Sequence, residues 1–389
     1  MTVSLMPTYA RMPVSFERGQ GPWLWTTEGQ RYLDAISGIA VCNLGHAHPK
    51  IAEALCDQAR TLIHTSNLYG IALQEQLAER LAALSGLDNV FFSNSGAEAN
   101  EAALKLARKY GHSRGISHPK VIVMENSFHG RTLFTLSATG SRKVQEGFEP
   151  LVEGFIRAPF GDGDQIEALD DPDIVAIFLE PIQGEGGIRV APNEYLTRLR
   201  TLCDQRHWLL MFDEVQCGMG RSGRWFGFQH ANIKPDVMTL AKALGNGFPI
   251  GACLARGAAA EVLTQGNHGS TFGGNPLACR AALSVIDILS DEHLVQRAAS
   301  LGETIRSAFE AAFKNNPKVR EVRGRGLMIG IELDAPCPEL PMKALDAHIL
   351  INVTAERTIR LLPPLILNDD ETRHLIDTVI GVVQAHTGA

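Results

Sequence analysis

The chain has 389 residues, is 45% hydrophobic and carries a formal net charge of −7 at pH 7. This length and apolar content allow a large core and predict two domains. The acidic balance is unlike that of proteins that bind nucleic acids or anionic membranes, and no apolar run approaches the roughly 18 residues of a membrane helix, so small molecules are the expected partners.

Predicted strands and helices alternate along most of the chain. An irregular first segment contains short strand-like pieces, and amphipathic helices are expected over 49–64 and 74–84. Apolar runs then predict strands at 89–93, 121–124, 174–179, 209–212, 237–240 and 251–254, with helical segments between them. Such alternation is typical of βαβ units and predicts an α/β fold with a mostly parallel sheet flanked by helices.

The last part of the chain is expected to leave this sheet. An Ala/Leu-rich segment of helical period runs from about residue 276 to about residue 315 and leads towards a smaller α+β domain. We therefore predict an N-terminal arm with part of the small domain (1–45), a large ligand-binding domain (46–285) and a C-terminal small domain (286–389).

The cysteines and the N-terminal sequence bear on location. The seven cysteines lie far apart without a CxxC pair, which favours reduced thiols in the cytoplasm. The sequence MTVSLMPTYARMPVSF has no uninterrupted apolar run, so it is not interpreted as an export signal.

Two predicted strands lead directly to a charged residue. Residues 208–212 precede Asp213, and residues 237–241 precede Lys242. Open α/β sheets bind ligands at the carboxyl ends of their strands, so this acid and this amine are suited to face one ligand. A structural ion pair is the alternative, because buried charges are costly unless they are paired. The two residues alone leave both interpretations open.

The segment SNSGAEANEAALKLARKY predicts a helix that begins near Gly96. Ser95 and Glu98 fit a capping box, and apolar residues recur behind them at helical spacing. The unpaired amides of a first helical turn favour an anion, and a glycine lets a phosphate approach the backbone. Because an ordinary capped helix has the same pattern, a phosphate site needs support from elsewhere.

The loop ENSFHGRT follows the strand at 121–124. Phe128 is suited to stack on a planar ring, and Arg131 is suited to hold a carboxylate through two hydrogen bonds. A core phenylalanine and a solvated arginine are the simpler fates of these residue types. His129 is interpreted as a packed or hydrogen-bonded loop histidine rather than a catalytic one.

Two acids follow the strand at 174–179. Glu180 ends this strand, and Glu185 lies in the glycine-rich loop after it. They are either a general acid and base, or Glu185 pairs with an arginine, for which Arg360 in TIRLLPP is the candidate. The sequence does not choose between these alternatives.

Two further motifs match known patterns but are not interpreted as binding sites. GMGRSG at 218–223 matches GxGxxG, but a dinucleotide fingerprint follows its strand directly and opens a helix, whereas DEVQC intervenes here. His46 and His48 in GHAHP suggest a metal, yet no partner at ligand spacing accompanies them, so no metal site is predicted.

Together, an anion cradle, an aromatic ring, an acid and an amine at one sheet edge match the chemistry of pyridoxal 5′-phosphate. Lys242 would form the Schiff base with the cofactor's aldehyde. Asp213 would keep the pyridine nitrogen protonated, so that the ring accepts electrons from the substrate. The phosphate would lie at the helix start at Gly96.

The chain resembles the class III aminotransferases of fold type I, and among them most closely the acetylornithine aminotransferases. The shared blocks span essentially the whole chain in family order: GHAHP, HTSNLY, NSGAEANEAALKLAR, FHGRT, EPIQGEGG, FDEVQCGMGRSG, AKALGNGFP, GSTFGGNPLAC, RGRGLMIG and IRLLPP. The resemblance implies the fold type I architecture, with a large domain of mostly parallel sheet flanked by helices and a smaller α+β domain.

For the cofactor, the resemblance implies a homodimer with shared active sites. The implied contacts are the phosphate with Gly96, Ala97 and, from the neighbouring subunit, Thr271; the ring faces with Phe128 and Val215; the ring nitrogen with Asp213; the phenolic oxygen with Gln216; and the Schiff base with Lys242. Once released by substrate, Lys242 would also transfer the proton in the reaction.

For the substrate, the resemblance implies contacts from Ser270 and Arg131, with Arg131 holding a carboxylate of each amino donor. Glu185 and Arg360 resemble the family's switch. When paired, they admit an amine without an adjacent carboxylate, and when separated, Arg360 holds the α-carboxylate of glutamate. Trp23 stands where ornithine aminotransferases have a tyrosine near the substrate, which favours an Nα-acylated substrate.

The expected reaction transfers the δ-amino group of N2-acetylornithine to 2-oxoglutarate, as in arginine biosynthesis. The near alternatives are aminotransferases of succinylornithine, succinyl-diaminopimelate, ornithine or 4-aminobutyrate. A nicotinamide-dependent dehydrogenase would depend on the GMGRSG loop. A non-catalytic protein that binds pyridoxal phosphate would not need both Asp213 and Lys242.

Overall fold

The computed structural model of the protein describes residues 4–388. The strands are β1 (Phe16–Gln20), β2 (Trp23–Thr26), β3 (Arg31–Asp34), β4 (Asn89–Ser93), β5 (Lys120–Met124), β6 (Phe155–Ala158), β7 (Ile174–Leu179), β8 (Ile182–Gln183), β9 (Arg189–Val190), β10 (Leu209–Asp213), β11 (Val237–Leu240), β12 (Gly251–Ala255), β13 (Val319–Arg325), β14 (Met328–Leu333), β15 (Ile349–Leu350), β16 (Asn352–Thr354) and β17 (Thr358–Leu361). The helices are α1 (Ser37–Ala40), α2 (Pro49–Thr61), α3 (Ala72–Ser85), α4 (Gly96–Ser113), α5 (Leu133–Ala138), α6 (Gly163–Glu167), α7 (Asn193–Arg206), α8 (Pro276–Asp291), α9 (Leu294–Phe313), α10 (Leu340–Asp346) and α11 (Asp369–Thr387). None of the described helices has the length and apolar character needed to span a bilayer.

The largest sheet has seven strands in the order β4-β12-β11-β10-β7-β5-β6. Neighbouring strands are parallel except where β12 pairs with β4 and β11. β7, β10, β11 and β12 are buried along their whole length, as their continuous apolar runs predict for strands covered on both faces. The predicted α/β class is confirmed. β6 was not predicted, because its residues FIRA are partly exposed and form no continuous apolar run.

Strand β12, which is antiparallel to both of its neighbours, starts at the edge of the sheet where the candidate site lies. β4, β10 and β11 run in one direction, so Ser93, Asp213 and Leu240 lie at one edge of the sheet. β12 starts at this edge, with Gly251 opposite Ser93. A Cβ atom on Gly251 would overlap with the carbonyl oxygen of Ser95. Glycine therefore lets β12 begin directly beside the turn that leads into α4.

Two four-stranded sheets contain the terminal parts of the chain. The first has the order β1-β2-β3-β15, in which β15 from near the C-terminus lies parallel to β3. The second has the order β13-β14-β17-β16. The pairing of β3 with β15 joins an N-terminal strand to one from the last fifty residues of the chain. The predicted limits at residues 45 and 285 stay a prediction, and residues 1–3 and 389 lie outside the described part of the chain.

The Ala/Leu-rich segment after residue 276 forms two helices rather than one continuous run. α8 ends at Asp291 and α9 begins at Leu294, because His293 has a left-handed backbone with φ of +52°. Leu289 and Leu294 are buried on either side of this break. The apolar pattern therefore continues across the break and does not reveal it.

Candidate active site

A cavity of about 400 Å³ opens at the carboxyl edge of the central sheet. Its wall contains nine of the twelve predicted site residues: Gly96, Ala97, Phe128, Arg131, Glu185, Asp213, Val215, Gln216 and Lys242. Asp213 at the end of β10 and Lys242 after β11 therefore share one cavity. Arg360 reaches this wall through Glu185, whereas Ser270 and Thr271 lie outside it.

The carboxylate of Asp213 is fixed by three donors. Oδ2 accepts a hydrogen bond from Asn100 Nδ2 at 2.8 Å and lies 2.8 Å from Nδ1 of His129. Oδ1 accepts from the N–H of Val215 at 3.0 Å. Thr239 orients Asn100 in turn, because its hydroxyl donates to Asn100 Oδ1 at 2.6 Å. The direction in which Asp213 faces the cavity is therefore set by its neighbours.

Asn100 and His129 are parts of the site that local patterns reveal only weakly. Asn100 is buried on α4 among alanines, so the only signal was one polar residue on an otherwise apolar face. His129 is hydrogen-bonded as expected, and its ring stacks on Phe178 with 4.3 Å between the ring centroids. Nε2 of His129 is buried without a hydrogen-bond partner among the described residues.

Lys242 lies two residues after Leu240, the last residue of β11. Its φ of +44° is in the left-handed region, which residues other than glycine rarely adopt. Where such residues do adopt it, they are often found at functional sites. Burial lowers the pKa of the Lys242 amine, and the nearby carboxylate of Glu185 only partly opposes this effect. A lowered pKa increases the neutral fraction of the amine, which is the nucleophilic form.

The first turn of α4 offers unpaired amides to the cavity. Ser95 Oγ accepts a hydrogen bond from the N–H of Glu98 at 3.2 Å, whereas the Glu98 carboxylate accepts from the N–H of Asn94 at 2.6 Å. The predicted capping box is thus formed only on the Ser95 side. The N–H groups of Gly96 and Ala97 have no partner within the helix and lie at the cavity wall, where an anion would satisfy them.

Val215 and Phe128 supply apolar surface to the wall, and each has a close neighbour. A Cβ atom on Gly96 would lie 2.8 Å from Cγ1 of Val215, so glycine at this position leaves room for the valine. The guanidinium carbon of Arg131 lies 5.5 Å from the ring centroid of Phe128. The wall therefore combines apolar surfaces with an exposed arginine.

Glu185 and Arg360 form an ion pair at the side of the cavity. Nη1 of Arg360 donates to Oε1 of Glu185 at 2.5 Å, and the arginine is only 1% exposed. Burial would raise the pKa of Glu185, but the charge and hydrogen bond of Arg360 outweigh this, and the pKa is lowered. Of the two alternatives left open by the sequence, the geometry matches the pair with Arg360.

Glu180 lines the cavity and connects two of its loops. Its carboxylate accepts hydrogen bonds from the N–H of Phe128 at 3.2 Å and from the N–H of Gly184 at 3.3 Å. Burial, and then the charge of Asp213, raise the pKa of Glu180 well above its ordinary value. The hydrogen bonds connect the loop of Phe128 with the loop that carries Glu185.

The structure does not bring Ser270 and Thr271 into the cavity of their own chain. Ser270 Oγ accepts from Asn94 Nδ2 at 3.2 Å and from the N–H of Gly273 at 2.9 Å. Thr271 is exposed. If Thr271 contacts a cofactor or substrate, it must do so in the active site of another chain.

Trp23 does not line the cavity either. Its indole Nε1 donates to Oε1 of Glu371 at 2.9 Å, and its ring stacks on His374 of α11. The geometry of this chain therefore gives no support to the expected proximity of Trp23 to the substrate.

The profile of the family described as aminotransferase class-III matches residues 5–383. The chain belongs to the class-III aminotransferases. This aminotransferase is 56% identical to acetylornithine aminotransferase of Nitrosomonas europaea over 381 residues, which cover 97% of each chain. It is 52% identical over 386 residues to acetylornithine aminotransferase 1 of Bordetella bronchiseptica, covering 99% of this chain and 98% of that one.

Solved structures resemble this class-III aminotransferase over nearly its whole length. The ornithine aminotransferase of Toxoplasma gondii has a TM-score of 0.95 at 36% identity, covering 98% of this chain and 93% of that chain. The N-acetylornithine aminotransferase of Stenotrophomonas maltophilia has a TM-score of 0.85 at 36% identity, covering 98% of both chains. A second structure of the Toxoplasma gondii enzyme is described as having partial occupancy of PLP at its active site. Enzymes named for ornithine and for acetylornithine both match, so the fold alone does not select the amino donor.

Proposed function

We propose that this class-III aminotransferase uses pyridoxal 5′-phosphate to transfer the δ-amino group of N2-acetylornithine to 2-oxoglutarate, giving N-acetylglutamate semialdehyde and glutamate for arginine biosynthesis. The observation that carries the proposal is the Glu185–Arg360 pair beside the cavity that contains Lys242 and Asp213. An enzyme with two donors of different shape needs an arginine that can be masked for one donor and exposed for the other. The relatives named acetylornithine aminotransferase support the choice of donor.

The residues of the cavity fit the proposed cofactor. The first-turn amides of Gly96 and Ala97 are suited to the phosphate, and Phe128 and Val215 supply apolar surfaces for the two faces of the ring. Gln216 lies at the same wall and is assigned to the phenolic oxygen. When bound, pyridoxal phosphate supplies an electron sink for the carbanion that forms at the reacting carbon of the substrate.

Asp213 and Lys242 perform the acid–base work in this proposal. Asp213 holds a proton at the ring nitrogen, and the hydrogen bonds from Asn100 and His129 keep its carboxylate in the required direction. Lys242 provides the amine for attachment and, after release, its Nζ takes a proton from the reacting carbon of the substrate. The lowered pKa of Lys242 suits both tasks, because each needs the neutral amine.

Arg131 and Arg360 are assigned to substrate carboxylates. Arg131 lies exposed at the cavity wall and is suited to hold the carboxylate of acetylornithine or the side-chain carboxylate of glutamate. Arg360 stays paired with Glu185 while acetylornithine reacts, because that substrate has no carboxylate next to its reacting carbon. For glutamate, Glu185 turns away and Arg360 holds the α-carboxylate.

We further propose a homodimer in which Ser270 and Thr271 complete the cavity of the partner subunit, with Ser270 at the substrate and Thr271 at the phosphate. The segment 62–69 adjoins them, since Nδ2 of Asn67 donates to the carbonyl oxygen of Ser270 at 3.0 Å. This region exposes large apolar side chains: Leu62, Ile63, Leu68, Tyr69 and Phe272. Exposed apolar residues that cluster in this way are typical of protein interfaces.

A cytoplasmic location is part of the proposal. All seven cysteines are free thiols, and five of them are buried: Cys203, Cys217, Cys253, Cys279 and Cys337. Unpaired cysteines throughout a chain of this size are typical of a reducing compartment.

The test is a comparison of amino donors with the purified holoenzyme. Glutamate formation from 2-oxoglutarate is measured with N2-acetylornithine, succinylornithine, succinyl-diaminopimelate, ornithine and 4-aminobutyrate. We expect the highest kcat/KM for N2-acetylornithine, and a higher value for another donor would replace the proposed substrate. In parallel, borohydride should abolish a visible absorption band of the holoenzyme and leave a label on Lys242. A missing band together with nicotinamide binding would favour the dehydrogenase alternative.

A further inference from the structure

The short edge strand β16 contacts both members of the Glu185–Arg360 pair. Asn352 lies opposite Arg360 in the antiparallel pairing of β16 with β17, and Asn352 Oδ1 accepts a hydrogen bond from Arg360 Nε at 3.1 Å. Two positions further along the strand, the hydroxyl of Thr354 donates to the backbone carbonyl oxygen of Glu185. Neither residue is among the predicted site residues.

The contact with Asn352 fixes the orientation of the Arg360 side chain. The described acceptors of the guanidinium are Glu185 at 2.5 Å, Gln216 Oε1 at 3.4 Å and Asn352 at 3.1 Å. If Glu185 turns away, Asn352 supplies the shorter of the two remaining contacts. Because the Nε–H bond lies in the guanidinium plane, this contact restrains that plane and leaves the two Nη groups for a carboxylate.

The backbone around Glu185 is held on both sides. Thr354 binds its carbonyl oxygen, and Arg323 donates through Nη2 to the carbonyl oxygen of Gly187 at 2.6 Å. On the other side, the N–H of Gly184 donates to Glu180 at 3.3 Å. With these anchors, the carboxylate of Glu185 can leave Arg360 by rotation of its side chain, without movement of the loop.

We propose that Asn352 and Thr354 are positioning residues for the exchange between the two amino donors. Asn352 keeps Arg360 oriented while Glu185 is turned away, and Thr354 keeps the Glu185 backbone in the place from which its carboxylate masks Arg360. This inference rests on the proposed function, since it requires one donor that needs the unmasked arginine and one that does not.

The two residues should act in opposite directions on the choice of donor. Without Asn352, the unmasked Arg360 is less well oriented, so glutamate and 2-oxoglutarate should bind more weakly while acetylornithine is little affected. Without the Thr354 hydroxyl, Glu185 masks Arg360 less well, so acetylornithine should be disfavoured relative to glutamate. General destabilisation of β16 would not produce effects of opposite sign.

Both half-reactions can be measured separately with the holoenzyme. The absorbance change of the bound cofactor is followed with glutamate alone and with acetylornithine alone, which gives a rate and an apparent affinity for each donor. For Asn352→Ala, we expect the apparent affinity for glutamate to fall roughly tenfold, as for loss of one hydrogen bond to a charged group, with acetylornithine changed by less than about twofold. For Thr354→Val, we expect the apparent affinity for acetylornithine to fall a few-fold relative to that for glutamate.

Two variants serve as matched controls. Thr354→Ser retains the hydroxyl and should restore the wild-type ratio of donors. Val353→Ala weakens the same strand, where Val353 lies opposite Ile359 and packs against the core, without touching the pair. It should lower thermal stability and leave the donor ratio unchanged. Thermal unfolding of every variant shows that the protein compared is folded.

The outcomes separate this inference from the proposed substrate. Equal losses for both donors in Asn352→Ala, or the same donor shift in Val353→Ala, would overturn the positioning role. If the wild-type enzyme reacts with glutamate but not with acetylornithine, the proposed donor is wrong. The roles of Asn352 and Thr354 are then tested by the ratio of the apparent affinities for glutamate and ornithine, because the reacting carbon of ornithine also lacks an adjacent carboxylate.

Discussion

The two sides of the cavity differ in how completely one chain builds them. On the sheet side, Asp213 is buried, and its carboxylate is held by side chains from α4 and the loop after β5. On the outer side, Thr271 is exposed, next to Phe272, which is 61% exposed. The sheet side places Asp213 and Lys242 in the cavity of a single chain, whereas the surface loop that carries Thr271 lies outside this cavity and is proposed to serve a second chain. Variants on the two sides should therefore fail in different ways.

The largest effect is expected at Lys242. In the proposed mechanism, Lys242→Ala removes both the attachment amine and the proton-transferring group, so turnover should fall by roughly 10⁴-fold or more while the oligomeric state stays that of the wild type. Steady-state kinetics measure the turnover, and sedimentation measures the oligomeric state. The exposed Lys314→Ala is the control and should retain wild-type turnover. Substantial activity in Lys242→Ala would refute the assigned role.

Asp213→Asn should have the next largest effect. The neutral amide no longer favours a protonated ring nitrogen, and its NH2 group would face the donor on Asn100, so kcat should fall by roughly 10²–10³-fold. Cofactor affinity should change less than kcat. The exposed Asp377→Asn serves as the control. Near-normal kcat in Asp213→Asn would mean that this carboxylate does not act at the ring nitrogen.

Thr271→Ala tests the outer side of the comparison. Loss of one hydrogen bond to a phosphate should weaken cofactor binding by roughly tenfold, without a comparable loss of kcat at saturating cofactor. Cofactor titration of the apoenzyme measures this change, and the exposed Thr304→Ala should behave like the wild type. A monomeric wild-type enzyme whose cofactor affinity is unchanged by Thr271→Ala would contradict the shared site.

The smallest effect is expected at His46, whose ring is hydrogen-bonded to Asp34. Burial would lower the pKa of His46, but the hydrogen bond to Asp34 at 2.8 Å and the neighbouring Cys42 outweigh it and raise the pKa to about 9. Because the pKa is higher in the folded state, the stabilisation is complete below about pH 6.5 and is lost as the pH rises through about 9. His46→Gln should remove this dependence.

Thermal unfolding of the wild type and of His46→Gln between pH 6 and 9.5 measures the effect. The difference in Tm between the two proteins should shrink as the pH rises. A constant difference across this range would show that protonation of His46 does not contribute to stability.

The sheet side could be predicted from the sequence because its signals are local. Continuous apolar runs ending in Asp213 and Lys242 indicated both the strands and the edge that they share. Asn100 could not be assigned in this way, since its partner Asp213 is 113 positions away. Asn352 is only 8 positions from Arg360, but their contact depends on the register of an edge strand that no local pattern specifies.

Prediction by resemblance was less successful where a side chain has a competing partner. Trp23 was expected near the substrate, yet its indole binds Glu371, which lies 348 positions away. A matched position in an alignment specifies where the backbone runs, whereas the direction of a long side chain depends on every element packed around it. The pairing of Glu185 with Arg360 shows the favourable case, in which a buried arginine meets a partly exposed carboxylate of opposite charge.

The reversed strand β12 has a mechanical consequence. Because Gly251 fits tightly against the carbonyl of Ser95, and only a short connection separates it from Lys242, the turn before α4 and Lys242 are both joined to the start of β12. If the proposed roles of these residues are right, a substitution at Gly251 is expected to change both phosphate affinity and the reactivity of the Lys242 amine.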